Sequence, residues 1–183
     1  IFQGEELGMT NAYFPYLSDY RDRESIDAFQ EYTESGLLNE AEMLRCLQVI
    51  GRDNARTPMQ WSAGENAGFT SGTPWLSVNP NYRYINAEDQ LNDPDSVFHY
   101  YRRLIALRRT YPIIVHGDFH PLLEDDPGIY AYQRRLVLCS FTAADAACEL
   151  GGDGGKELIS NYACHKKGLL QPYEARVLLY EEG

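Results

Sequence analysis

Gly51 to Trp61 reads GRDNARTPMQW. Arg52 and Arg56 stand four apart and flank Asp53 and Asn54; Thr57-Pro58 follow, and the stretch ends apolar in Met59 and Trp61. A guanidinium can grip a carboxylate with two bonds and still donate to a hydroxyl, which is how a sugar ring is oriented. A loop merely stapled by Arg–Asp pairs would use the same residues and perform no chemistry. Composition alone leaves those two readings level. The stretch opens a segment, 52–92, that is rich in Gly, Pro and Asn and has no hydrophobic period, so it reads as a long ordered loop. Loops of that length inside compact domains are usually functional.

Upstream, residues 5–38 are polar and loop-rich, with a helix expected near Arg21–Tyr32. Asn39 stands three before Glu42, a helix-start signal, and Met43, Leu47 and Ile50 follow at helical spacing, with the stop expected at Gly51. Ile1-Phe2-Gln3-Gly4 reads as a strand with no local partner. An unpaired edge is a liability, so the chain is expected to be a piece of something longer. Downstream, Asp93 is read as a helix cap, with Pro94 at the first helical position and Asp95 favouring the positive end of the dipole. Val97, Tyr100, Tyr101, Leu104 and Leu107 form its apolar stripe. Arg102, Arg103, Arg108 and Arg109 lie outside the stripe, and Pro112 prevents continuation. The period then changes. Ile129–Tyr132, Leu136–Cys139 and Arg176–Tyr180 read as strands, and Asp125-Asp126-Pro127-Gly128 and Gly151–Gly155 read as turns. About seventy residues of short strands predict a small antiparallel β-sandwich, with a boundary near residue 111.

The 183 residues carry 16 Lys and Arg against 27 Asp and Glu, a net charge of -11. Such a surface repels phosphate backbones and anionic lipid, so nucleic-acid and membrane partners are not expected. Hydrophobic residues make up 44%, too many for a disordered acidic chain. No run of eighteen apolar residues offers a spanning helix. Cys46, Cys139, Cys148 and Cys164 form no CxxC pair, which suits thiols in a reducing, cytoplasmic compartment. The sequence starts at Ile1 and shows no charged n-region leading into an apolar stretch, so no signal peptide is expected.

Other patterns carry less. A phosphate loop needs Lys-Ser/Thr opening a helix, whereas Gly151–Gly155 leads into Lys156-Glu157 at a strand, so the glycines read as a hairpin turn. His116 and His120 lie four apart, but no third ligand sits at a supporting spacing; no metal and no cofactor are expected. His99 and His165 carry no pattern. Glu5-Glu6, Asp22 with Glu24, and Asp125-Asp126 pair carboxylates in sequence only, which does not bring them together in space. Asp125-Asp126 is a solvated turn, whereas Glu5 and Glu6, at a strand end, are open to a supporting role. Fourteen tyrosines, among them Tyr13, Tyr16, Tyr20, Tyr82 and Tyr84, suit a site that stacks on sugar faces, although core packing is the commoner explanation for any single one.

GRDNARTPMQW resembles the alpha-amylase superfamily in its oligo-1,6-glucosidase and alpha-glucosidase branch, which also holds sucrose isomerases and trehalose-6-phosphate hydrolases. IFQGEELGMTN (Ile1–Asn11) looks like the eighth barrel strand and its exit loop, and DYRDRES (Asp19–Ser25) resembles the helix start that follows it. The resemblance implies the α/β remnant of the last strand–helix unit of a (β/α)8 barrel over 1–111, followed by a small antiparallel β-sandwich over 112–183. Family members hydrolyse alpha-glucosidic bonds with retention, through an Asp nucleophile, a Glu acid/base and a second, stabilising Asp. All three are expected before Ile1, so the catalytic residues in this chain are none, and the part present supplies binding. By the motif match Arg56 pairs with a barrel Asp and holds the 4-hydroxyl of the non-reducing glucose, while Arg52 lies nearer the leaving group.

The expected function is therefore the C-terminal portion of a retaining alpha-glucosidase acting on an alpha-glucoside, either an isomalto- or a malto-oligosaccharide. The alternative is a non-catalytic relative of the transporter heavy-chain type acting as a partner subunit; a free-standing sugar-binding sandwich would leave 1–111 without purpose. Arg21 and Arg23 could serve a phosphorylated substrate, but a solvated helix face is the simpler reading. Torn from a barrel, Val97, Tyr101 and Leu104 lose partners at roughly 25 cal/mol per Å². The sandwich is thus expected to be the better-ordered part, with 1–92 mobile or rescued by self-association of the piece.

Overall fold

A computed structural model describes residues 1–133, 136–150 and 155–180. Its contacts divide into two compact units, Ile1–His99 and Tyr100–Gly183.

In the first unit, helix α1 (Arg23–Glu34) starts where Asp22 accepts the Ser25 amide proton. Helix α2 (Glu40–Ile50) starts on the expected capping box, with Asn39 and Glu42 each accepting the other's backbone N–H. α1 and α2 pack over Ala12, Phe14, Tyr20, Met43, Leu47 and Leu76. α2 leaves the helix at Gly51, where a side chain has no room: a Cβ there would stand 2.5 Å from the Leu47 carbonyl oxygen and 3.3 Å from the Tyr20 ring.

The segment after α2 is irregular, made of short 3-10 turns at Arg52–Arg56, Glu65–Gly68 and Pro80–Arg83. Side-chain amides hold it. Asn11 Nδ2 donates to the Gln48 and Val49 carbonyls at the end of α2. Asn54 Nδ2 donates to Leu47 and Gln48, while its Oδ1 accepts from Ala12 N. Asn79 reaches the Thr10 carbonyl at 2.8 Å, and Gln60 reaches Asn81 and the Ile85 carbonyl. Backbone polar groups without ladder partners need such donors and acceptors.

Three expectations are corrected here. Ile1–Gly4 forms no strand; Gly4 sits in a turn with φ 92, and no neighbouring strand lies beside it among the described residues. A strand exists only as half of a ladder. The helix expected from Asp93 begins four residues later, as α4 (Val97–Thr110). Asp93 folds its own turn instead, accepting Asp95 N on Oδ1 and Ser96 N on its carbonyl, and Ser96 Oγ accepts from His99 N. A short helix, α3 (Ala87–Asn92), occupies the end of the expected loop, capped by the buried Asn86 side chain on Asp89 N. No residue of α4 is buried, and Val97 and Leu104 of its apolar stripe are 42% and 36% exposed.

The second unit continues through α5 (Ile113–His116) into β1 (His120–Leu122), β2 (Ile129–Gln133), β3 (Leu136–Ser140), β4 (Ala146–Ala147), β5 (Lys156–Ser160), β6 (Leu169–Leu170) and β7 (Ala175–Leu179). Five strands form an antiparallel sheet in the order β1-β2-β3-β7-β5, and β4 pairs with β6. Alternation decides the faces: Ile129 and Ala131 point into the core, whereas Tyr130 is exposed. They meet Leu138, Leu178, Cys148 and Leu170, so both sheets feed one apolar cluster. Most of the Gly151–Gly155 turn lies outside the described residues.

Candidate functional site

The turn Arg52–Arg56 is fixed from beneath by Asp53, whose side chain has no exposed surface. Asp53 Oδ2 accepts the backbone N–H groups of Arg21 at 2.6 Å and Asp22 at 2.9 Å. Its Oδ1 takes no hydrogen bond and lies 3.8 Å from Arg56 Nη1. A buried carboxylate without charge or donor partners is costly, and here two amides and a guanidinium supply them. The ring of Tyr20 lies beside Gly51, and its hydroxyl is buried without a partner. Burial, and then the negative charges of Asp53 and Asp19, push that phenol up to about 12.

Both arginines of the turn lean on the first residues of α1. Arg52 Nη1 pairs with Glu24 at 2.7 Å, out in solvent. Arg56 Nη1 donates to Asp22 Oδ1 at 2.8 Å. Asp22 divides its work by oxygen, because Oδ2 accepts from Ser25 N at 3.0 Å and Ser25 Oγ at 2.9 Å. Burial acts to raise the Asp22 carboxyl, but the Ser25 and Arg56 bonds outweigh it and hold it below its ordinary value. Arg56 keeps 45% of its side-chain surface exposed. Its Nε and Nη2 take no partner among the described residues. The arrangement is a clamped guanidinium with donors turned outward, suited to hydroxyl or carboxylate acceptors.

A cleft of about 340 Å³ opens next to the turn, bordered by Phe2, Glu5, Asn11, Ile50, Arg52 and Thr57. Arg52 therefore faces the cleft, whereas Arg56 stands apart from its lining. Glu5 and Glu6 accept the Phe2 and Gly4 amides, so both hold the first turn of the chain. Tyr13, Tyr16 and Tyr84 are largely exposed, and Tyr20 is core. Arg23 pairs with Asp27 along the solvated face of α1, and Arg21 donates to the Ser18 and Tyr20 carbonyls. His116 ends α5 and His120 opens β1. Among the described residues no group of three His, Cys, Asp or Glu converges as a metal site would require.

A second polar cluster lies in the other unit. Glu174, fully buried, accepts from Gln171 N at 2.7 Å, Arg176 Nε at 2.5 Å and His165 Nδ1 at 2.6 Å, and the other ring nitrogen of His165 meets Glu157 at 2.7 Å. The cluster ties β5 and β7 to the 161–168 loop. The sequence offers Arg52, Arg56 and an Arg–Asp staple through Asp53, but not the pairing of Arg56 with Asp22. Asp22 was legible as the cap of a D-x-x-S start, yet nothing local showed that its second oxygen reaches across 34 residues to Arg56.

Residues 1–117 match the family described as "Alpha amylase, catalytic domain". The oligo-1,6-glucosidase of Parageobacillus thermoglucosidasius is 47% identical over 97% of the chain and 34% of its own length. Among solved structures, a trehalose-6-phosphate hydrolase of Bacillus licheniformis superposes with a TM-score of 0.92 at 43% identity, over 99% of this chain and 36% of that one. An isomaltulose synthase of Erwinia rhapontici gives 0.92 at 39% identity, over 99% and 35%. The chain belongs to the alpha-amylase family, and it spans about a third of the length of the curated relatives it matches.

Proposed function

We propose that this chain is the C-terminal portion of a retaining alpha-glucosidase acting on short alpha-glucosides, isomalto- or malto-oligosaccharides. In this reading residues 1–111 are the end of a (β/α)8 barrel and 112–183 a β-sandwich domain. The chain supplies substrate binding and the C-terminal domain, and the catalytic carboxylates stand on a preceding part of the protein. The observation that carries the reading is Arg56: one nitrogen is clamped by Asp22, and two further donor nitrogens, on a half-exposed side chain, have no partner among the described residues. Those donors are the ones that would meet a barrel Asp and the 4-hydroxyl of a terminal glucose. Arg52, at the cleft, would lie towards the leaving group. No cofactor enters the reaction as proposed, and a cytoplasmic setting agrees with the four free thiols.

Glucose release from isomaltose and maltose by the longer protein, with the 183-residue chain assayed in parallel, tests this. Glucose is expected from the longer protein alone, and the preferred linkage is read from the same assay. No glucose from the longer protein overturns the proposal in favour of a partner-subunit relative. Hydrolysis by the short chain would show that the chemistry had been misplaced.

A further inference from the structure

We infer that Asp22 and Asp53 are the positioning residues of Arg56: together they fix which of its nitrogens face the sugar, and so set affinity for the terminal glucose. The inference rests on the proposed sugar-binding role of Arg56 and adds residues for which that role gives no place.

An arginine head has three nitrogens and a long flexible stem, so an unheld guanidinium samples many orientations, and ordering it on substrate costs affinity. Here Nη1 is taken at 2.8 Å by Asp22 Oδ1, with Asp53 Oδ1 behind it at 3.8 Å. Both acids are buried, whereas Arg56 is half exposed. Two fixed carboxylates thus hold Nη1, one corner of a planar head, and narrow the directions open to Nε and Nη2. The carboxylates are themselves fixed. Asp53 is pinned by two backbone amides, and Asp22 is pinned by the start of α1 through its other oxygen. Among the described residues Asp53 Oδ1 has no hydrogen bond, and the neighbour of opposite charge beside it is Arg56, the group it positions. Helix α1, the Arg52–Arg56 turn and the sugar-facing donors therefore share one anchor.

The two tasks of Asp22 can be separated. Ser and Asn cap a helix about as well as Asp. D22S should preserve the start of α1 while being too short to reach Arg56, and D22N should keep both shape and cap while removing the charge. The intact glucosidase would be assayed on isomaltose as wild type, D22S, D22N, D53N, R56A and the double variant D22S/R56A, with thermal midpoints recorded alongside. R56A should raise KM. D22S should raise it by roughly tenfold, about what the loss of one charge-assisted bond gives, with kcat and the midpoint much less affected. D22N and D53N should follow in the same direction by less. D22S should cost nothing further in the R56A background, since a residue that acts through Arg56 has nothing left to act on.

R56A with unchanged KM would overturn the sugar-binding role and this inference together. R56A with a raised KM, but D22S and D22N at wild-type KM, would overturn this inference alone. So would a D22S effect that adds in full to that of R56A, because it would mean that Asp22 acts through the fold.

Discussion

Glu174 shows how a buried charge is kept. Burial acts to raise its carboxyl, but bonds from Arg176, the Gln171 amide and His165, with the Arg176 charge, outweigh burial and hold it below the ordinary value of 4.5. A carboxyl depressed in the folded state stabilises the fold fully above its unfolded value. That contribution is lost as the pH falls below about 4.5 and through the folded value. E174Q should therefore lower the melting temperature most near neutral pH, and the gap to wild type should narrow by pH 3. A gap that stays constant with pH would mean that the charge of Glu174 contributes nothing. The substitution leaves the Arg176 guanidinium, only 12% exposed, without its carboxylate partner and, among the described residues, held by the Leu169 carbonyl alone.

Among the elements, signals within one turn of chain were legible and those that depended on distant partners were not. The Asn39–Glu42 box and the α2 stop at Gly51 were readable because each is decided within four residues. Asp93-Pro94 reads as a cap, yet Ser96 takes that place, and its hydroxyl also donates to the Gln90 carbonyl at 2.8 Å, a tie that exists only once α3 has formed. α3 itself was overlooked, since a six-residue helix is too short to show a period. Asn86 three before Asp89 was its available signal. At the site, the arginines were evident from residue type, but the Asp22–Arg56 bond joins positions 34 apart and no spacing rule reaches that far. The Gly51 junction yields a test. G51A forces a Cβ into the Leu47 carbonyl oxygen, so the chain must shift where α2 hands over to the arginine turn. The expected outcome is a loss of about 1–3 kcal/mol, as overpacking usually costs, read by denaturant unfolding. A wild-type midpoint would show that the junction yields without cost.

At the scale of the whole molecule, much apolar surface faces solvent: Ile1 at 76%, Phe2 at 57%, Val49 at 65% and Ile50 at 78%, the last three around one cleft. Surface of this kind drives association. The 183-residue chain should sediment with a weight that rises with concentration, and serine at Phe2 and Ile50 should suppress the rise; a concentration-independent monomer would refute the expectation. Two kinds of fastening hold the segment after α2, and they answer differently to ions. Asn11, Asn54, Asn79 and Gln60 fasten it with neutral amides, whereas Arg52 and Arg56 fasten it with charge. Mobile ions weaken charge pairs in proportion to their exposure and leave amide bonds nearly untouched. Brine should therefore release Arg52 from Glu24 first, slacken Arg56 less, and leave the path of the backbone as it was. On the sugar-binding role proposed for these arginines, the grip would be adjustable by ionic strength while the frame stays put.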